Sequence, residues 1–304
     1  MDERQRKEFA KIGGGAVRFD CPMSQYTTFR VGGNVEALYL TQELHGLKRM
    51  ISYLREEHIP YLIVGKGSNL LVRDGGLKGV VVILKGKLAT VEKNRKNDQI
   101  VLAGGGLGLG ELVSYCTQTG LGGLEFLAGI PGTVGGAVAM NAGAFGKNMG
   151  SMVKEIQMLM DEGALVVKDH SQLKFAYREL AIPKGAVILG VRFELDKEDP
   201  EIISRRVEDY VTRRKAKQPL EFPSGGSVYK NPPNDYAGRL IEEAGLKGSR
   251  IGGAMISPKH ANFIVNTGNA RAHDILALMD LTREKVKEES GIELEPEIKV
   301  VGRR

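Results

Sequence analysis

The chain of 304 residues is 42% hydrophobic and 26% charged, as expected for a folded globular protein of two or three domains. Its net charge of +6 suits an anionic partner, but the basic residues are dispersed, so an anionic small molecule is favoured over nucleic acid. No stretch has the length of a membrane span or the apolar core of a signal peptide, and we expect no membrane insertion.

The cysteines and histidines predict reduced thiols and no metal site. Cys21 and Cys116 are isolated, and the five histidines lack metal-ligand spacing, so we expect a cytoplasmic protein. The unusual feature is the 40 glycines, well above the ordinary share of about 7%. They cluster between apolar runs, which indicates backbone bent around a ligand, most often a phosphate.

The first half of the chain alternates predicted strands and helices, as in an α/β layer. Apolar residues at helical spacing and short apolar runs mark these elements. Predicted strands are 35–40, 61–64, 80–84 and 100–103, with a charged hairpin around 93–98, and predicted helices are 42–57 and 111–119.

A glycine-rich loop, Gly65-Lys66-Gly67-Ser68-Asn69-Leu70, follows the strand at 61–64. It has leucine where a dinucleotide-binding Rossmann loop needs its third glycine, and the P-loop spacing is absent. The two glycines, with the serine and asparagine, can still form a nest of backbone N–H donors for an anion. A plain turn between strands fits this hexapeptide equally well.

A second glycine-rich segment covers residues 129–146 and contains six glycines with mostly small side chains between them. It cannot build a core of its own, and it suits a flat, bulky cofactor lying against the main chain. A helix-packing surface or a flexible linker is the alternative, which Ile130, Val134 and Met140 make less favourable because they belong in an ordered interior.

The second half predicts an α+β domain. Predicted strands are 173–176, 186–195 and 263–265, and predicted helices follow Pro200, cover 235–243, and run from about Ile275 to a stop at Gly291. The helix after Pro200 carries Arg213, Arg214 and Lys217 near its end, which is either a solvated basic terminus or a group of cations for a pyrophosphate.

The stretch from Ser224 to Pro232 places a hydroxyl, an ammonium and an amide close to paired glycines. We predict that Val228 and Tyr229 begin a short strand that holds Ser227 still. Taken alone, the stretch reads more simply as a surface hairpin in which Ser227 hydrogen-bonds its own backbone.

The two glycine-rich segments and the stretch Gly226-Ser227-Val228-Tyr229-Lys230-Asn231-Pro232 occur in the order typical of one family. On these motifs the chain resembles UDP-N-acetylmuramate dehydrogenase, also called UDP-N-acetylenolpyruvoylglucosamine reductase, over nearly its whole length. The resemblance implies an α+β protein with the FAD-binding fold of the vanillyl-alcohol oxidase (PCMH) type. It also implies non-covalent FAD, NADPH as hydride donor, and reduction of the enolpyruvyl group of a UDP-sugar for peptidoglycan synthesis.

The resemblance also assigns residue roles. Ser227, Arg178 and Glu297 match the catalytic positions, as proton donor, carboxylate partner and third catalytic residue. In the C-terminal tail, apolar residues (Ile292, Leu294, Ile298 and Val300) are predicted to share one face and Glu293, Glu295 and Glu297 the other. By this alternating position alone, Glu297 would be a solvent-exposed carboxylate. Substrate-binding positions are Arg214, Lys217, Lys230 and Asn231. FAD-binding positions are Gly65, Lys66, Gly67, Ser68, Asn69, Leu70, Gly129, Pro131, Gly132, Thr133, Gly135, Gly136, Asn141, Gly143 and Ala144.

We expect residues 1–199 to form the FAD-binding region, with subdomains of about 1–75 and 76–199, and 200–291 the substrate domain, with the tail 292–304 packing on the first subdomain. The chain has Gly225 and Tyr229 where the family commonly has alanine and phenylalanine, which should add flexibility and one hydroxyl. It reads as the short form without an extra substrate-covering loop, and a monomer is expected. A flavin oxidase of the same fold, or a non-catalytic anion-binding protein, are the alternatives.

Overall fold

The structure is a computed structural model that describes residues 1–304. It contains seven α-helices: α1 Glu3–Lys11, α2 Leu44–Glu56, α3 Leu109–Gln118, α4 Val134–Ala139, α5 Pro200–Lys217, α6 Ala237–Glu243 and α7 Ala272–Ser290. None of them is both long enough and apolar enough to cross a membrane.

Twenty strands complete the fold. The first ten are β1 Gly15–Pro22, β2 Asn34–Thr41, β3 Tyr61–Ile63, β4 Leu70–Val72, β5 Leu77–Leu84, β6 Val91–Lys93, β7 Ile100–Gly104, β8 Leu121–Gly122, β9 Gly143–Ala144 and β10 Lys147–Asn148. The others are β11 Val153–Leu159, β12 Leu165–Asp169, β13 Phe175–Ala176, β14 Glu179–Leu180, β15 Val187–Glu194, β16 Asp196–Lys197, β17 Arg250–Ile251, β18 Ala254–Ile256, β19 Ile264–Asn266 and β20 Lys299–Val301.

The chain divides into two compact units that interleave along the sequence. The first unit comprises residues 1–19, 36–65 and 79–212, and the second comprises 20–35, 66–78 and 213–304. A four-stranded sheet has the order β1-β2-β5-β3, with β3 and β5 parallel.

The first unit has a five-stranded antiparallel sheet in the order β12-β11-β15-β7-β6. One core packs this sheet against α3 and α4 and includes Phe126 and Phe193. A second core gathers around α2, whose Leu47, Ile51 and Leu54 are buried as their helical spacing predicts. The predicted helix at 42–57 is therefore confirmed.

The second unit is built on a three-stranded antiparallel sheet, β17-β18-β19, and a parallel pair, β20 with β4. Its core includes α6 and α7, and α7 ends at Gly291 in the left-handed conformation that glycine favours, as predicted. Two predicted strands are shorter or absent in the structure. Residues 173–176 form only the short β13, and Val228 and Tyr229 form no strand but a single bridge from Tyr229 to Pro296.

Candidate active site

The loop after β3 has the geometry of an anion nest. A side chain at Gly65 would place its Cβ 2.4 Å from Thr133 Oγ1, and Gly67 has φ +61° with its Cβ position 2.2 Å from the Tyr26 carbonyl oxygen. Only glycine fits at both places. The main-chain N–H groups of Lys66, Gly67 and Ser68 donate to no acceptor within the protein. Three adjacent free donors fit a pyrophosphate, whereas a plain turn would leave them unexplained.

The second glycine-rich segment folds into the two-turn helix α4 and the loops at its ends. Thr133 caps α4 by accepting a 3.4 Å hydrogen bond from the Gly136 N–H. Gly129, Pro131 and Gly136 are exposed, so main chain without bulky side chains forms the surface here. At Gly135 the helix also packs closely, since a Cβ would lie 3.0 Å from the Gly105 carbonyl oxygen. The segment therefore exposes main chain against which an aromatic cofactor can lie, and it is an ordered part of the first unit.

Asn141 connects this segment to the hairpin that carries Arg178. Its side chain is buried, Oδ1 accepts from the Gly150 N–H at 2.8 Å, and Nδ2 donates to the Ala176 carbonyl at 2.8 Å. Both ends of the amide thus make a hydrogen bond within the protein, which fixes the orientation of the side chain.

Arg178 occupies the two-residue loop between β13 and β14. Its φ is +61°, a left-handed conformation that costs a non-glycine residue about 1–2 kcal/mol. Nη1 donates to the Gly143 carbonyl at 3.1 Å, and the guanidinium lies 5.2 Å from the ring centroid of Tyr177. Strained residues held by such contacts cluster at functional sites.

Ser227 lies in the second unit in a half-buried position, and its hydroxyl makes no hydrogen bond to the protein. The hairpin interpretation, with Ser227 bonded to its own backbone, is therefore wrong. The expected flexibility of Gly225 is wrong too. Gly225 is buried, and a Cβ there would lie 2.1 Å from Cε2 of Phe29, so the glycine is needed for close packing. Gly226 has φ +74° and faces open space.

Glu297 is joined to the Ser227 segment by main-chain hydrogen bonds. The Glu297 N–H donates to the Val228 carbonyl at 2.7 Å, and the Lys230 N–H donates to the Glu295 carbonyl at 2.9 Å. On its other side, Asn69 Nδ2 donates to the Glu297 carbonyl at 3.1 Å. The second unit thus brings together the Ser227 segment, Glu297 and the anion nest.

Glu297 differs in burial from the other acidic residues of the tail. Glu293 and Glu295 are exposed and ion-paired, with Arg283 and Lys287 and with Lys230 respectively, whereas the Glu297 residue is half-buried. Its position within the alternating tail is therefore not that of an ordinary solvent carboxylate.

The four predicted substrate-binding residues lie in different surroundings. Arg214 is buried, which lowers its pKa by desolvation, and Lys217 is exposed. Lys230 Nζ pairs with Glu295 Oε1 at 2.5 Å, and Asn231 Oδ1 accepts from the Ala237 N–H at 3.1 Å, at the start of α6.

Asn262 is not among the residues predicted for the site, yet its side chain contacts the centre of this network. Its side chain hydrogen-bonds both main-chain groups of Tyr229, at 2.9 Å and 2.8 Å. The only sequence signal was a polar residue at the start of an apolar run. The neighbouring His260 is structural, since its Nδ1 accepts from the Asn262 N–H and its ring lies 4.8 Å from that of Phe263.

Two family models match the chain. One is described as an FAD binding domain and matches residues 36–168, and the other as the UDP-N-acetylenolpyruvoylglucosamine reductase C-terminal domain, matching residues 218–301. A VAO-type flavoprotein from Myceliophthora thermophila C1 shares the fold, with 14% identity over 65% of this chain and 48% of that chain and a TM-score of 0.51. The predicted FAD-binding fold is confirmed.

Close relatives cover nearly the entire chain. UDP-N-acetylenolpyruvoylglucosamine reductase from Syntrophus aciditrophicus is 45% identical over 98% of this chain and 96% of its own length, and that from Geobacter metallireducens is 42% identical over 99% of each. The crystal structure of the Thermus caldophilus enzyme has a TM-score of 0.80 and 40% identity, covering 94% of this chain and 98% of its own. The chain therefore belongs to the UDP-N-acetylenolpyruvoylglucosamine reductase family, an FAD-dependent group of oxidoreductases.

Proposed function

We propose that the chain reduces the enolpyruvyl group of UDP-N-acetylenolpyruvoylglucosamine with NADPH to give UDP-N-acetylmuramate, and that Ser227 delivers the proton. The observation that carries the residue assignment is the main-chain pairing that joins the Ser227 segment to Glu297, with the Ser227 hydroxyl left without a protein partner. Membership of the family supports the reaction, and the free hydroxyl supports the role.

Bound FAD supplies hydride transfer, and the residues of the chain manage binding and protons. The free N–H groups of Lys66, Gly67 and Ser68 suit its pyrophosphate, together with Gly65, Asn69 and Leu70 of the same loop. The exposed main chain of the second glycine-rich segment suits its flat ring system.

Hydride addition at one carbon of the enolpyruvyl double bond leaves enolate character that is resolved by a proton on the neighbouring carbon. Ser227 donates this proton. An alcohol is a weak acid, so its placement matters, and positioned proton transfer contributes about 10²–10⁴-fold in rate. This corresponds to about 3–5 kcal/mol of the barrier.

Arg178 pairs with the substrate carboxylate and stabilises the charge that develops on it, since a guanidinium offers forked donors for planar oxyanions. Glu297 works near the same charge, where an ionised carboxylate would repel it. Glu297 therefore acts as a neutral hydrogen-bond donor or with its charge compensated.

Arg214, Lys217, Lys230 and Asn231 bind the nucleotide diphosphate. The ion pair of Lys230 with exposed Glu295 is of a kind worth about 0–1 kcal/mol, so Lys230 can exchange this partner for a phosphate at little cost. Asn231 uses Oδ1 at the start of α6 and keeps its Nδ2 donors for the ligand. We further propose a cytoplasmic monomer, with residues 1–199 devoted to FAD and 200–291 to substrate.

The test separates the two half-reactions anaerobically. NADPH should bleach the flavin absorbance, and the enolpyruvyl nucleotide sugar should then restore it. In Ser227→Ala the first step should survive while the second falls by about 10²-fold or more. Ser224→Ala, the same change three residues upstream, is the control and should leave both steps intact.

Equal loss of both steps in Ser227→Ala would contradict the assigned role. Rapid reoxidation of the reduced flavin by air without substrate would instead favour an oxidase of the same fold.

A further inference from the structure

We propose that Asn262 is a positioning residue that holds Ser227 and Glu297 in register for the protonation step, an inference that rests on the proposed function. Asn262 is 3% exposed. It hydrogen-bonds the two residues that directly follow Ser227.

Asn262 holds those residues with three hydrogen bonds. Its Oδ1 accepts from the Tyr229 N–H at 2.9 Å and its Nδ2 donates to the Tyr229 carbonyl at 2.8 Å. Its own carbonyl accepts from the Val228 N–H at 2.9 Å. The side-chain amide thus pairs with Tyr229 as a neighbouring β-strand would, although neither residue belongs to a strand.

The other edge of the same two residues holds Glu297. The Val228 carbonyl accepts from the Glu297 N–H at 2.7 Å, and Tyr229 bridges to Pro296. Val228 therefore lies between Asn262 on one side and Glu297 on the other. A shift of Val228 would move both catalytic candidates together.

Upstream of Ser227 the chain is anchored at Ser224, which bridges to Val265, and at buried Gly225. Between Gly225 and Ser227, Gly226 is in the left-handed conformation with open space at its Cβ position, so the chain can pivot there. Downstream, Tyr229 is fixed by its buried ring and by its hydroxyl, which donates to the Met279 carbonyl at 2.5 Å. The amide of Asn262 sets the orientation of the peptide groups between these two points.

The experiment compares Asn262→Leu, which has the same branching and no polar side-chain atoms, with Asn262→Asp, which keeps the acceptor but replaces the donor by an oxygen facing the Tyr229 carbonyl. A misplacement of about 1 Å costs on the order of 10²-fold in rate. We expect both variants to lose roughly that factor in kcat for substrate reduction, with KM and the reduction of the flavin by NADPH unchanged.

Lower pH should rescue only one of the two variants. Once protonated, the introduced carboxyl of Asn262→Asp again has one donor and one acceptor, so its substrate step should recover as pH falls, while Asn262→Leu should not recover. His260, whose Nδ1 accepts from the Asn262 N–H, is present in both variants and in the wild type, and the pH profiles of the wild type and of Asn262→Leu show what this histidine contributes without a new carboxyl. Thr267→Val, which removes a 2.8 Å hydrogen bond to the Gly253 carbonyl in the same unit, controls for general destabilisation.

Selective loss of the substrate step with pH rescue of Asn262→Asp supports the proposal. Equal loss of both half-reactions, no loss, or a matching defect in Thr267→Val overturns it. If NADPH reduces the flavin of the wild-type protein but the nucleotide sugar never reoxidises it, the proposed function itself is wrong. This outcome is distinguishable from failure of the Asn262 proposal because it is seen without any variant.

Discussion

Gly225 is packed against the ring of Phe29. A Cβ at Gly225 would lie 2.1–2.8 Å from three atoms of that ring. Phe29 is fully buried, so any movement of its ring has to displace other core residues. The two glycines therefore have different reasons to be glycine: Gly225 for space and Gly226 for its φ of +74°.

We expect Gly225→Ala to destabilise the second unit by about 1–3 kcal/mol, the usual cost of overpacking a core. The measurement is urea unfolding of the FAD-loaded protein. Adding Phe29→Leu should recover part of the loss, since the smaller side chain vacates the space of the ring. An unchanged urea midpoint for Gly225→Ala alone would show that the ring relaxes freely.

The catalytic candidates differ in how far sequence could reveal them. Ser227 attracts notice beside its glycines, but Glu297 does not, because it alternates in step with Glu293 and Glu295. Its half-buried position and the hydrogen bonds of its main chain to Val228 and to the Asn69 side chain distinguish it. Such pairing joins residues distant in sequence, and no local pattern encodes it.

Elements with a clear hydrophobic period were predicted, and those without one were missed. The helices α2, α3, α6 and α7 and the strands β2, β5, β7 and β15 appear close to their predicted bounds. The strand β11 was missed because two irregularities in its pairing with β15 break the alternation of buried residues. The edge strand β12 has no fully buried residue, and in α1 Phe9 alone is buried, so neither shows a hydrophobic stripe.

The contact between the β3 loop and α4 yields a prediction at the scale of elements. A side chain at Gly65 would collide with Thr133 Oγ1, the atom that caps α4, so Gly65→Ala should both weaken FAD binding and destabilise α4. Thr133→Ala alone should cost about 1 kcal/mol through loss of the cap. The double variant should cost less than the sum, with a coupling of about 0.5–3 kcal/mol, because the colliding oxygen is gone.

Flavin fluorescence titration and thermal unfolding of all three variants measure this cycle. Gly110→Ala is the control, since Gly110 lies in α3 and no atom beyond its chain neighbours and the backbone of that helix lies within 4 Å of its Cβ position. Strict additivity of Gly65→Ala and Thr133→Ala would show that the loop and the helix do not depend on each other.

At the scale of the whole molecule, the two units have separate cores and need not share the same stability. One half-buried histidine of the second unit has a shifted pKa. Burial foremost, with a contribution from Lys247, lowers the pKa of His260 from the ordinary value of 6.5. A hydrogen bond with its main chain and a smaller contribution from Glu242 act in the opposite direction without reversing the shift.

The sign of the resulting pH dependence follows from proton binding. The unfolded chain takes up a proton at His260 near pH 6.5, whereas the folded unit resists it. The stabilisation is therefore fully present above pH 6.5 and is lost progressively as pH falls towards the lowered pKa. Between about pH 6.5 and pH 5 ordinary carboxylates stay ionised, so histidine titration dominates this window.

Hydrogen exchange can resolve this effect by unit. Protection factors, corrected for the intrinsic pH dependence of exchange, should fall between pH 6.5 and about 5 in β18, β19 and α7 and stay level in β11 and β15. His260→Gln should abolish the slope in the second unit, while His273→Gln, a change at an exposed histidine of the same unit, should leave it intact. A parallel fall of protection in both units would mean that acid acts on the whole chain through groups other than His260.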